Sequence, residues 1–163
     1  MFYPGRNLTY KAIAALRWIA IHCKRVDYIL KADDDIFVNI FNLQRRIFEL
    51  HSTSIRSRLL LCRVWSRAPV ARYGKWAISH GELPVKVYPN YCAGLAYIQT
   101  ADVARALYRM SLRISFFWID DVYVTGLLVE ALGGQVKLTN APSSYCDRTY
   151  TQKCMRGQSK MYT

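Results

Sequence analysis

The sequence predicts an α/β domain, and three observations carry that prediction. Short apolar runs of strand character alternate with longer segments whose apolar residues recur at helical spacing. Glycines, prolines and asparagines mark the boundaries between them. One strand-like run, "YILKA", ends in three consecutive aspartates, Asp33, Asp34 and Asp35, the place where open α/β sheets collect ligands.

The elements follow in order. Asn7 or Thr9 can cap a first helix running to about Cys23, with Ala12, Leu16, Ile19, Ala20 and Cys23 on one face. "RVDYILKA" reads as a strand that stops at the aspartates. Asn42 can cap a second helix to about Leu50, with Leu43, Ile47 and Leu50 inward. "RLLLCRV" is a strand by its continuous apolar run. Trp65 to Asn90 reads as a loop, with Pro69, Pro84 and Pro89 and several aromatics. "YCAGLAYIQ" is a strand weakened by a glycine. Thr100 caps a helix with Val103, Ala106, Leu107 and Met110 on its apolar side. Asp120 caps another, "DVYVTGLLVEAL", which Gly133 and Gly134 terminate. "QVKLT" is a final strand, and the polar stretch 141–163 shows no apolar period. Without a linker or repeat, 163 residues form one domain with a real core.

A composition of 52% hydrophobic and 21% charged residues is that of a globular chain, not a disordered one. No apolar run reaches membrane-spanning length: "AIAALRWIAIHC" is short and contains Arg17. "MFYPGRNLTYK" lacks the regions of a signal peptide. The net charge of +12 would suit nucleic acid, anionic surfaces or phosphate-bearing ligands. The basic residues are scattered, however, so a solvated basic surface is expected and no nucleic-acid partner. The chain has no G-x-S-x-G, P-loop or G-x-G-x-x-G pattern, and His22 and His51 read as structural. The five cysteines have no metal-binding spacing. Cys146 and Cys154 are near enough in sequence to pair in an oxidising compartment, and the odd count leaves at least one cysteine unpaired.

A run of aspartates after a strand can be a solvated turn. Here "YIL" precedes and "IFV" follows, and three like charges near a core edge are unfavourable without a cation or hydrogen-bond donors. In extended backbone Asp33 and Asp35 share a face while Asp34 points away. Two adjacent carboxylates suit a hard cation, Mg²⁺ or Mn²⁺, with positions left for phosphate oxygens. The second pair, Asp120 and Asp121, admits two readings. Acidic residues serve helix N-termini as caps and dipole partners. Following the apolar "ISFFW", one of them could equally carry a raised pKa suited to general-base work. "YGKWAIS" and "VYPNYCAG" form either a packed aromatic loop or a platform for sugar rings. Asn7-Leu8-Thr9 is an N-glycosylation sequon, with Asn7 the acceptor.

Taken in order, "NLTYKAIAALRWIAIHC", "DYILKADDDIFVNIFNL", "KWAISHGELPVKVYPNYCAGLAYI" and "IDDVYVTGLL" resemble the inverting β-1,3-glycosyltransferases, the family of β-1,3-galactosyl- and β-1,3-N-acetylglucosaminyltransferases. The match covers residues 7–128. The resemblance implies a GT-A type, Rossmann-like nucleotide-sugar transferase fold, truncated at its N-terminus, with residues 1–163 as one catalytic-domain fragment. It implies Mn²⁺ (or Mg²⁺) on Asp33, Asp34 and Asp35, with Asp35 foremost, and UDP-galactose or UDP-N-acetylglucosamine as donor. Asp121, then Asp120, would be the catalytic base that activates the 3-hydroxyl of a glycoprotein or glycolipid acceptor. Lys31, Trp76, Tyr91, Cys92, Ala93 and Gly94 would shape the donor and acceptor pocket. The resemblance further implies a Golgi membrane enzyme with a lumenal catalytic domain, held by an anchor absent from this chain. The alternative is an inactive glycan- or partner-binding fragment of the same fold. The acidic motif reads Asp-Asp-Val here, where the family commonly has Glu-Asp-Val.

Overall fold

In the computed structural model, residues 7–52 and 57–141 are described, the side chains of residues 51 and 52 excepted. The N-terminal residues 1–6, Cys146, Cys154 and the rest of the polar C-terminal stretch lie outside the described residues, as does the His51 side chain. In chain order the elements are α1 (Leu8–His22), β1 (Tyr28–Ala32), α2 (Ile40–Ser52), β2 (Leu59–Trp65), β3 (Tyr91–Thr100) and α3 (Ala101–Ser111). A helix then begins as α4 (Asp120–Val122), passes through a π turn (Tyr123–Leu127) and ends as α5 (Leu128–Ala131), before β4 (Lys137–Asn140). Every predicted element is present. The π turn inside the last helix carries no signal that helical periodicity could reveal.

The four strands form one sheet in the order β1-β3-β2-β4. β3 runs antiparallel to β1 and β2, and β2 pairs in parallel with β4. The sheet is therefore mixed, where a Rossmann-like expectation leans towards parallel pairing. Connectivity explains it. β2 reaches β3 through a loop that holds no helix, so β3 can return antiparallel. β4 follows α3 and the α4–α5 helix, and parallel pairing needs such a crossover.

The sheet divides the apolar residues between its faces by strand alternation. Leu59, Leu61 and Ile98 pack with Leu50 of α2, flanked by Leu43 and Ile47 as expected. Leu60, Cys62 and Tyr97 point the other way, into a larger core with Leu16, Val103, Leu107, Phe117, Val122, Tyr123 and Leu128. Each fully buried Leu contributes roughly 1.5–3 kcal/mol, so the second face, which carries α1, α3 and α4–α5, dominates the stability.

The helix starts differ from expectation in instructive ways. The Asn42 N–H donates to Asn39 Oδ1 at 3.1 Å, so Asn39 is the capping residue and α2 begins at Ile40. Thr100 occupies its cap position, but its hydroxyl accepts from Leu59 N–H at 3.1 Å. Thr9 is fully buried and donates to the Phe117 carbonyl at 3.0 Å, which pins α1 to the segment before Asp120. Asn7 is exposed at the N-cap position without a side-chain cap bond. Ile119, not Asp120, is the N-cap of α4. For Thr9 and Thr100 a buried partner from elsewhere in the fold outcompetes the local cap. At the far end Gly133 and Gly134, at φ +61° and +80°, stop the helix as predicted.

A disulfide joins Cys62 of β2 to Cys92 of β3 across a Cα separation of 5.6 Å, and Cys23 is free. His22 is exposed and lies against Trp18, with ring centroids 5.5 Å apart.

Candidate active site

The site grows from an irregularity in β3. Cys62 pairs with Tyr97, but two residues on Val64 pairs with Cys92, so β3 carries extra residues between those positions. Gly94 lies within this bulge, a feature that re-aims backbone groups beside functional sites. The Gly94 carbonyl accepts from Lys31 Nζ, which also contacts Asp33 Oδ1 at 2.5 Å. Asp33 N–H donates to the Leu95 carbonyl at 2.9 Å. β1 is thereby held to the bulge just where its aspartates begin.

The chain then turns. Ile36 N–H donates to the Asp33 carbonyl at 3.3 Å, and Asp34 and Asp35 form an exposed turn. The extended backbone expected to place Asp33 and Asp35 on one face is absent, because aspartates at a strand end favour turning. Asp33 reaches the rim of the cavity described below, whereas Asp34 and Asp35 stand outside it. Among the described residues, no three Asp, Glu, His or Cys side chains converge on one point. The donor set does not fit an all-protein metal cage. It does fit a cation of the kind held by one or two carboxylates, with phosphate and water completing its shell.

Across the bulge stands the second acidic pair. Asp121 packs so tightly on Gly94 that a Cβ at position 94 would lie 3.3 Å from Asp121 Cβ. Its Oδ1 accepts from Val122 N–H at 2.8 Å. Burial, reinforced by the charge of Asp120, pushes the Asp121 carboxyl up to about 6, against the lowering influence of the Val122 N–H and Lys31. Asp120 is also raised, by burial first, with Lys31 opposing. A lysine already committed to Asp33 and the Gly94 carbonyl leaves these two carboxyls incompletely compensated. Both readings of this pair keep their footing: the two carboxyls sit in the first helical turn, where Asp121 accepts from Val122 N–H, and both also line a cavity.

That cavity has a volume of about 750 Å³. Lys31, Asp33, Gly94, Asp120 and Asp121 line it together with Trp76, Tyr88, Tyr91, Gln99 and residues of α1. Of the expected pocket residues, Lys31, Trp76, Tyr91 and Gly94 line it. Cys92 and Ala93 do not, because both are buried within the sheet and Cys92 is spent in the disulfide. Trp76 stacks on Trp118 at 5.8 Å, with rings 13° from parallel, and Tyr91 meets Tyr88 edge-on at 5.8 Å. Trp76, Tyr88 and Tyr91 thus give the cavity an aromatic lining, with Trp118 packed behind Trp76. Burial and nearby Asp121 push the Tyr91 phenol up to about 12.

Three further contributors are not among the residues that the sequence singles out, although Tyr88 falls in the aromatic stretch "VYPNYCAG". Tyr97, buried in the floor, is raised first by burial and then by Asp120, Asp121 and Asp33. Tyr88 is buried, and its hydroxyl has no hydrogen-bond partner among the described residues. Thr125 hydrogen-bonds the Asp121 carbonyl. Thr125 has its own legible trace, a hydroxyl four residues after an aspartate in an apolar helical run.

Paired carboxylates and aromatic side chains thus share one cavity beside a sheet irregularity, an arrangement open to enzymatic acid–base chemistry. The comparisons then identify the family: a galactosyltransferase family profile matches residues 5–140, and the chain belongs to that family. It is 38% identical over 128 residues to β-1,3-galactosyltransferase 1 of Mus musculus, and equally to that of Homo sapiens, which covers 78% of this chain and 39% of those proteins. It is 38% identical over 119 residues to UDP-GalNAc:β-1,3-N-acetylgalactosaminyltransferase 1 of Sus scrofa, covering 72% of this chain and 35% of that protein. The chain thus spans well under half the length of these curated relatives.

Proposed function

We propose that this chain carries the base-bearing and donor-binding core of an inverting β-1,3-hexosyltransferase of GT-A type that uses a UDP-sugar. The observation that carries the reading is Asp121: a half-buried carboxyl facing a sugar-sized cavity, with a proton affinity raised to about 6. Such a group is ionised at neutral pH yet basic enough to accept a hydroxyl proton in a transition state. Asp121 takes the proton of the acceptor's 3-hydroxyl as that oxygen attacks the anomeric carbon. The bond from that carbon to the UDP oxygen breaks, and an α-linked donor becomes a β-1,3-linked product. Asp120, beside it, keeps the local field negative and holds Asp121 basic.

Trp76 and Tyr91 supply ring faces for the sugars, while Lys31 holds Asp33 at the rim. The chemistry that a bound Mn²⁺ or Mg²⁺ supplies is neutralisation of diphosphate charge, and Asp33 and Asp35, with Asp34 between them, are the residues that would hold it. The relatives' names favour galactose or N-acetylgalactosamine as the transferred sugar, with N-acetylglucosamine the third candidate, and a glycoprotein or glycolipid as acceptor. A lumenal, Golgi setting is supported by the Cys62–Cys92 disulfide and the exposed Asn7 of the sequon. No helix among the described residues is long and apolar enough to cross a membrane.

The test is a transfer assay with UDP-galactose, UDP-N-acetylgalactosamine and UDP-N-acetylglucosamine against β-linked acceptors, comparing the native chain with Asp121→Asn. Transfer from one donor that falls by about 10²–10⁴-fold in the variant supports the reading. Transfer indifferent to Asp121 would remove it.

A further inference from the structure

We infer that Thr125 is a positioning residue that clamps the backbone of Asp121 to strand β3, and through it holds the Asp121 carboxylate against the cavity wall. The inference rests on the role proposed above for Asp121. Thr125 sits in the π turn and is fully buried. Its hydroxyl donates to the Asp121 carbonyl at 2.6 Å and accepts from Cys92 N–H at 2.9 Å. One side chain therefore ties the first turn of the helix to the strand, and that strand is itself anchored by the Cys62–Cys92 disulfide.

The clamp works beside two close approaches. Gly94 admits the Asp121 side chain, as described. The next residue after Thr125, Gly126, lets the helix press on the loop, since a Cβ there would lie 3.1 Å from Tyr91 Cβ and 3.3 Å from Pro89 Cγ. Asp121 is thus fixed by its side chain at Gly94, by its carboxylate at Val122 N–H and by its carbonyl at Thr125. Positions that hold reacting groups this tightly lose rate steeply when loosened, about 10²-fold for an ångström of displacement. π turns recur at functional sites, and this one places the hydroxyl where it can serve both partners.

A purely structural threonine would also resist replacement, so the test reads position and not stability. Thr125→Val keeps shape and removes both hydrogen bonds, while Thr125→Ser keeps them. Thr125→Ala stands in for the valine variant should that fail to fold. Transfer kinetics are measured below the melting temperature of every variant, and the Asp121 carboxyl is titrated by ¹³C NMR, assigned with Asp121→Asn. The expected result is a kcat about 10–100-fold lower in Thr125→Val with donor KM within about twofold. The Asp121 midpoint should fall from about 6 towards the ordinary carboxylate range as the group tips into water. Thr125→Ser should restore both. A valine variant with native kcat and midpoint, or a serine variant as impaired as valine, overturns the inference. If the native chain transfers no sugar, the functional reading falls, and the Asp121 titration alone then decides for or against the clamp.

Discussion

Asp121 and Gly94 meet across the bulge of β3 at a distance that excludes any side chain larger than hydrogen at position 94 unless the aspartate gives way. A Cβ built on Gly94 would stand 3.3 Å from Asp121 Cβ and 3.4 Å from its Oδ2. The helix start and the strand therefore set the position of the carboxylate jointly.

Gly94→Ala follows directly. The added methyl pushes Asp121 outward by a few tenths of an ångström, and transfer should fall about tenfold, a fraction of what a full ångström costs. Thermal unfolding should change little, because the cavity side is open to relaxation. Steady-state kinetics alongside a melting curve check this, and a native rate would show that Asp121 has slack.

Asp121→Asn separates function from stability. A folded-state pKa of about 6 lies above the ordinary carboxyl value, so the folded protein binds this proton more tightly than the unfolded chain does. The group's favourable contribution is complete below the unfolded value and is lost as pH rises through about 6. Asparagine has no charge to bury, so the variant should be more stable than the native chain by about 1–3 kcal/mol at pH 8. At pH 4 the two should converge. Denaturant titrations at both pH values test it. For the native chain, the transfer rate should rise with pH through a limb near 6.

UDP binding should require a divalent cation. Calorimetry of UDP with Mn²⁺, then with EDTA, should show binding only in the first case, and Asp33→Asn or Asp35→Asn should weaken it at least about tenfold by removing a carboxylate ligand. Binding that survives both EDTA and Asp35→Asn would assign the diphosphate to basic side chains instead.

Loss of the Cys62–Cys92 bridge should destabilise the fold. The bond closes a segment of 30 residues that includes Trp76 and Tyr88 of the aromatic wall. The chain-entropy relation assigns such a loop about 3–4 kcal/mol. Urea unfolding of the native chain with and without dithiothreitol, and of the Cys62→Ala, Cys92→Ala variant, measures it. Equal midpoints would mean that packing at the β2–β3 pair already holds the loop.

What the sequence by itself determined is local or additive. Apolar periodicity located every helix and strand, because a side chain's face repeats with a fixed period whatever lies opposite. The halt of "YILKA" at Asp33, the glycines at 133 and 134 and the Asp120-Asp121 pair were legible for the same reason, and four motifs in order carried the family. Tertiary structure alone decided what depends on partners distant in the chain. Strand β3 runs antiparallel to β1 and β2, and its bulge turns Gly94 towards Lys31. Cys62 pairs with Cys92, though nothing in their spacing singles them out. Thr9 and Thr100 turn from capping to buried partners, and the aspartates after β1 fold into a turn. The basicity of Asp121 belongs to this second group. It comes from desolvation and a neighbouring charge, and both exist only once helix, bulge and aromatic wall close around it.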